Sequence, residues 1–173
     1  WSIKNPNLFW SAIWDFSEVK GTKSIKFKKN KKFINNKFLF NSKLNFTENL
    51  LKKNTNEKAI TFLSENGFRE IRTWKKLKEN VENLSFFLKK NNLRKNDRIA
   101  AYMPNQIETV ECFLAATAIG AIWSSCSPDF GTKGVIERFS QIKPKVLFVT
   151  NEYFYNGKRI DIIKRIPEII KKI

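Results

Sequence analysis

Histidine is absent from this 173-residue chain, which rules out a His-based acid–base dyad, a Ser–His triad and a His-ligated metal. Cysteine is scarce. Cys112 and Cys126 are the only two, too few for a disulfide framework or a thiolate cluster. Long apolar runs are missing as well. The longest stretch, Cys112 to Trp123, is broken by Thr117 and Gly120 and falls short of the roughly 18 or more residues that a bilayer crossing needs. No charged-then-apolar leader with a small-residue cleavage site is found. The expectation is a cytoplasmic protein with no membrane span.

Negative charge is also sparse: 16 acidic residues stand against 33 basic ones, for a net charge of +17. Such a balance suits a polyanion-binding surface, and the basic cluster Lys20 to Lys37 is where that surface would lie. Arginine is scarce within the basic set, 7 against 26 lysines, and base-edge readers favour the bidentate arginine fork. Lys, Asn, Ile and Phe share A- and U-rich codons, so an AT-rich genome accounts for the excess of all four. Nucleic acid is therefore not expected as a partner.

What is plentiful is aromatic carbon. Aromatic residues make up 14% of the chain, with 16 Phe and 5 Trp, and hydrophobic residues 42%. Disordered chains are poor in aromatics, so a folded core is expected. Asn5 can cap a helix with Pro6 in its first turn, and Phe9, Trp10, Ile13 and Trp14 recur at near-helical spacing, as expected of core packing. Lys20 to Lys37 reads as a basic connector, and Leu44 to Leu51 as a short helix.

From Lys58 onward the pattern turns to α/β. Ala59–Leu63 and Phe68–Arg72 flank Asn66-Gly67, a strong hairpin signal. Thr73 can cap a helix carrying Leu77, Val81, Leu84 and Leu88 on one face. Arg98–Met103 reads as a buried strand, Gln106–Ile119 as a helix closed by Gly120, and Ile122–Cys126 as the next strand, also buried. A helix over 133–142, a strand over 145–149 and a helix over 161–172 follow. Strands alternating with helices imply parallel βαβ units. The chain opens at Trp1, its only Met is Met103, and Pro167–Ile173 carries no helix stop signal, so both ends read as cut.

Candidate chemistry is thin. Ser124-Ser125-Cys126-Ser127 lacks a base that would activate a nucleophile, so close packing is the expected role. Gly131-Thr132-Lys133-Gly134 lacks the spacing of a Walker loop and reads as a helix start. Asp129 is read as a cap or turn carboxylate, and Cys112 as a buried, inert thiol. No catalytic and no metal-binding residue is assigned.

The segment Ala121-Ile122-Trp123-Ser124-Ser125-Cys126-Ser127-Pro128-Asp129-Phe130-Gly131 closely resembles a signature of acetoacetyl-CoA synthetases, which are adenylate-forming acid–thiol ligases. Leu44–Leu51, Ala101–Asn105, Glu108–Val110, Arg138–Phe148, Tyr153–Arg159 and the Trp/Phe pattern at 9–16 are similar to that family too. The resemblance runs through essentially the whole chain.

What the resemblance implies is an N-terminal helical segment over 1–57, followed over 58–173 by the first βαβ units of the large N-terminal domain of an adenylate-forming enzyme. The parent would join acetoacetate to CoA through an acyl-adenylate, with ATP, Mg2+ and CoA as partners. Its phosphate loop, its nucleotide contacts and its catalytic lysine would lie downstream, so the piece alone is expected to be inactive and to pair with the remainder of its own polypeptide. A sibling ligase for acetate or propionate is the nearest alternative, and a basic nucleic-acid-binding module the alternative of another class. In related acetate-activating ligases a loop resembling Tyr155–Arg159 contacts the nucleotide end of CoA. Gly157, Lys158 and Arg159 are the residues so implicated, Lys158 as a point charge toward a CoA phosphate. Tyr155 stands where those ligases have an Arg, and a solvated basic turn is the competing reading.

Overall fold

Strand β5 (Arg98–Tyr102) is the most deeply buried strand of the chain: Ile99, Ala100, Ala101 and Tyr102 are all inaccessible to solvent. It lies in the middle of a parallel sheet of order β6–β5–β7, between β6 (Ile122–Cys126) and β7 (Val146–Val149). The register pairs Ala101 with Ser125 on one side and with Phe148 on the other. The computed structural model describes all 173 residues. They form two units, Trp1–Lys52 and Lys53–Ile173.

In the second unit, alternate residues of β5 face opposite layers, as a strand's period of two requires. Ala100 and Tyr102 meet Cys126, Val135, Phe139, Ile162 and Ile169, the layer built by α5 (Thr132–Ile142) and α6 (Ile166–Lys172). Ala101 and Met103 meet Cys112, Leu84, Trp123 and Phe148, the layer built by α3 (Trp74–Lys90) and α4 (Ile107–Ala118). Helices on both faces of a parallel sheet make this unit α/β. Each fully buried large side chain, such as Leu88 or Phe139, contributes about 1.5–3 kcal/mol of transfer free energy.

Local signals account for the element boundaries. The Thr73 hydroxyl accepts the Lys76 backbone N–H at 3.2 Å and caps α3. Gly120, at φ +76°, closes α4, a left-handed conformation that costs glycine no Cβ clash. The Asn66-Gly67 hairpin forms from antiparallel β3 (Lys58–Leu63) and β4 (Arg69–Thr73). Arg72 joins this hairpin to α4: its guanidinium lies 2.8 Å from Glu111, 3.0 Å from Glu70 and 3.7 Å from Glu108. Asn80 of α3 donates to the same Glu111 at 2.8 Å. The Arg72 Nε–Glu111 contact is an ion pair of poor hydrogen-bond angle, since that Nε has no well-directed acceptor.

Some expectations are corrected. The helix expected over 161–172 begins only at Ile166, preceded by a 3-10 turn (Ile163–Arg165). Pro167 has no N–H to give to an earlier turn and so belongs at a helix start. Ahead of it, the Asp161 carboxylate takes the Ile163 N–H at 2.8 Å. Tyr155–Arg159, expected to form a loop, instead belong to a hairpin of β8 (Glu152–Tyr155) and β9 (Lys158–Asp161). Strand β6 is not fully buried, because it lies at a sheet edge: Ile122 is 52% exposed and Ser125 is exposed.

The first unit opens with α1 (Pro6–Phe16). Asn5 occupies the N-cap position, yet its side chain donates to the Trp1 carbonyl at 3.3 Å and makes no cap. Of the aromatic stripe only Trp14 is buried; Trp10 and Ile13 are more than a third exposed. Strands β1 (Gly21–Thr22) and β2 (Lys43–Leu44) pair antiparallel. Gly21 has φ +154°, and a Cβ there would stand 2.3 Å from the Lys43 carbonyl, so only glycine permits this approach. Asn45 caps α2 (Phe46–Leu50), accepting the Glu48 N–H at 3.1 Å, and Asn49 ties this helix to the Lys20 backbone through bonds of 2.8 and 2.9 Å.

Candidate active-site cleft

The chain passes from β5 through α4 to β6 on one side, then through α5 to β7 on the other side of β5. Strand order therefore reverses between β5 and β7. In open α/β sheets ligands bind past the carboxyl ends of the strands at such a reversal. A cleft of about 730 Å³ lies there, lined by Pro104, Asn105 and Gln106 after β5, Ser127 and Asp129 after β6, and Thr150 and Asn151 after β7. The β3–β4 hairpin and the β8–β9 hairpin supply the remaining walls through residues such as Phe62, Glu65, Tyr153 and Tyr155.

The β6–α5 loop is fixed by hydrogen bonds. The buried Tyr102 hydroxyl lies 3.1 Å from the Pro128 carbonyl and 3.0 Å from that of Phe130, sharing its one proton between them. Arg165 donates to the Tyr102 oxygen at 3.2 Å and to the Pro128 carbonyl at 3.3 Å. Ser127 donates to Asp129 at 2.7 Å. Burial first, then the neighbouring Asp129 carboxylate, push the Tyr153 phenol up to about 12. Tyr153 therefore stays a neutral donor at ordinary pH. On the opposite wall the Thr109 hydroxyl donates to the Pro104 carbonyl at 2.6 Å, holding the turn after β5.

The lining is acidic: Glu65, Glu70, Glu108, Asp129 and Glu152 contribute to it and no Lys or Arg does. Such a surface repels phosphate. Lys158 lies outside this lining. It is exposed on β9 directly opposite the cleft-lining Tyr155.

A sequence profile of AMP-binding enzymes matches residues 47–172. The chain belongs to the AMP-binding enzyme family. It is 38% identical over 174 residues to the acetoacetyl-coenzyme A synthetase of Rhizobium meliloti (strain 1021), covering 100% of this chain and 27% of that protein. It is 30% identical over 179 residues to the malonamoyl-CoA synthetase vrtB of Penicillium aethiopicum, covering 98% of this chain and 25% of that protein. The solved acetoacetyl-CoA synthetase from Streptomyces lividans superposes with a TM-score of 0.92 at 28% identity, over 99% of this chain and 27% of that one. The likeness is to the N-terminal part of that structure. The chain thus spans about a quarter of the length of the relatives it matches.

On this AMP-binding scaffold the residues singled out from the sequence separate. Asn156 and Gly157 form the two-residue turn of the β8–β9 hairpin, at φ +50° and +69°. Gly157 donates its N–H to Glu65 at 3.3 Å, closing one hairpin tip on the other. Arg159 is engaged by Glu152, its Nε 2.5 Å from the carboxylate. Lys158 has no ion-pair partner and remains available. Ser124–Ser127 carries no activating base: Cys126 is buried and its thiol is pushed up by burial. Gly131 starts α5 with no side-chain cap, and the Phe130 ring beside it is covered by the Arg138 guanidinium at 4.1 Å.

Tyr102, Arg165, Tyr153 and Glu65 escaped the sequence reading. A tyrosine in an otherwise small and aliphatic strand, Ile99-Ala100-Ala101-Tyr102, was the available signal, since a buried phenol needs partners. Arg165 offered none.

Proposed function

We propose that this chain contributes the leading part of an ATP-dependent ligase that joins acetoacetate to CoA. The first step forms acetoacetyl-adenylate and releases pyrophosphate. In the second, the CoA thiol attacks the acyl carbonyl and AMP departs, giving acetoacetyl-CoA. The observation that carries the choice of acid is the 38% identity to an acetoacetyl-CoA synthetase along the chain's full length. The matched span covers the Ala121–Gly131 segment, part of which rims the cleft.

Within this reading, residues 58–173 begin the adenylation domain, 1–57 precede it, and the protein acts in the cytoplasm. This chain's own residues shape and charge the cleft; they supply no nucleophile and no phosphate cradle. Tyr102 and Arg165 hold the β6–α5 loop, Ser127 keeps Asp129 oriented, and Arg159 is committed to Glu152. Of the three residues proposed for CoA, Gly157 shapes the turn, Arg159 supports β8, and Lys158 offers the free charge toward a phosphate. ATP and Mg2+ are assigned to segments beyond these residues.

The acid is tested by acid-dependent exchange of labelled pyrophosphate into ATP, using the full polypeptide that carries this chain. Acetoacetate is expected to support exchange at least tenfold better than acetate, propionate or malonamate. That ratio corresponds to about 1.4 kcal/mol of discrimination. Equal or better exchange with any of the other acids would overturn the substrate and leave the family standing.

A further inference from the structure

We propose that the N-terminal unit docks reversibly on an anionic lipid surface, through the Phe33–Ile34 tip and the lysines around it. The inference is independent of the ligase reading. Between Val19 and Thr47 the sequence has nine lysines and no Asp or Glu. Lys28 and Lys37 pair as an antiparallel bridge, with backbone bonds of 2.9 and 3.0 Å, and cinch off residues 29–36 as a loop. A 3-10 turn, Phe33–Asn35, places Phe33 and Ile34 at its far end, 80% and 87% exposed. Lys29, Lys31, Lys32 and Lys37 flank them, and none pairs with a carboxylate. Side-chain bonds brace the loop: Asn36 accepts the Asn30 N–H at 2.7 Å, and Asn30 accepts that of Lys32 at 3.2 Å.

Two apolar side chains held in water at the end of a braced, uniformly cationic loop call for an occupant that is apolar within and negative at its surface. An anionic bilayer meets both demands. Its headgroups attract the lysines and its acyl region takes the tip; neither signal suffices alone, and together they give reversible anchoring. The apolar character continues behind the tip. A cavity of about 1170 Å³ is lined by Phe9, Trp10, Phe27, Phe33, Phe38 and Phe40, with Lys4, Lys26, Lys28 and Lys29 its only charged members. Ile3, 93% exposed, stands at the same opening. A single-stranded nucleic acid would use the rings and lysines, but it leaves exposed aliphatic Ile3 and Ile34 unexplained.

The test is vesicle flotation with the full polypeptide that carries this chain, in which bound protein rises with lipid and aggregates sink. Flotation is expected with vesicles of phosphatidylcholine and phosphatidylglycerol, falling with added salt, and not with phosphatidylcholine alone. Phe33→Asp/Ile34→Asp should abolish it. Both side chains are exposed, so an unchanged far-UV circular dichroism spectrum confirms that the fold survives. Lys29→Glu, Lys31→Glu and Lys32→Glu should each weaken partitioning about fivefold or more. Equal flotation with neutral vesicles, retention by the tip variant, or binding of an oligothymidylate with no flotation would overturn the proposal.

Discussion

Asp97 and Lys145 lie 2.6 Å apart where β5 and β7 begin. The hydrogen bond from Lys145, then that from the Arg94 backbone, holds the Asp97 carboxyl below its ordinary 3.8. A carboxylate lowered by folding stabilises above its unfolded value and loses that contribution as pH falls through its folded one. Asp97 is therefore expected to titrate below 3.8 by carbon-detected NMR in the wild type. In Lys145→Met it should move toward 3.8, with a higher acid-unfolding midpoint pH. An unchanged titration would show that the contact does not persist in solution.

Residue identity was the most legible level of the sequence where one side chain meets one backbone group, as with the Thr73 cap and the Gly120 stop. Long-range partners were less legible. Tyr102 finds the β6–α5 loop and Arg165 from sequence separations of 26 to 63 residues, which no local pattern encodes. Cys112 was read as inert, and burial does push its thiol up to about 12.

Among elements, the two hairpins make the clearest contrast. Asn66-Gly67 was flanked by recognisable strands and read as a hairpin, whereas Asn156-Gly157 was read as a basic loop. The flanking strands explain the miss: Glu152–Tyr155 and Lys158–Asp161 have four residues each, the first opening on a charge and the second charged at both ends, so alternation is barely visible. The turn itself is decisive, because both central residues need positive φ. Gly157→Val, forcing a β-branched residue to φ +69°, is expected to cost about 1–3 kcal/mol. Amide exchange should then show lost protection in β8 and β9 with β5 unaffected. Retained protection in the hairpin would mean that the turn tolerates a side chain.

The aromatic stripe of α1 shows a different limit. Helical spacing identified the helix, but periodicity reports a face and not what covers it. Phe16 remains 87% exposed, and the stripe is only partly core.

For the whole molecule, the parallel order and the α/β class followed from alternating strand and helix patterns and from the family resemblance. The sheet's incompleteness at its sides is a structural finding. Strands β6 and β7 both present unpaired edges, with Ile122 and Val149 exposed by 52% and 41%. Open edges of this kind recruit further strands. The 173-residue chain alone is therefore expected to self-associate, as read by light scattering after size exclusion. Monomeric elution with one cooperative thermal transition would contradict that.

Under the proposed function, Lys158 is the free cation on the CoA side of the cleft. The most direct measurement compares wild type and Lys158→Glu of the full polypeptide in the two half-reactions. Because Lys158 is exposed on a hairpin, the substitution should leave pyrophosphate exchange, which needs no CoA, within twofold of wild type. The KM for CoA in thioester formation should rise tenfold or more, the loss of one charge-assisted phosphate contact of about 1.5–3 kcal/mol. An unchanged KM for CoA would remove Lys158 and the hairpin from the CoA site and contradict the account.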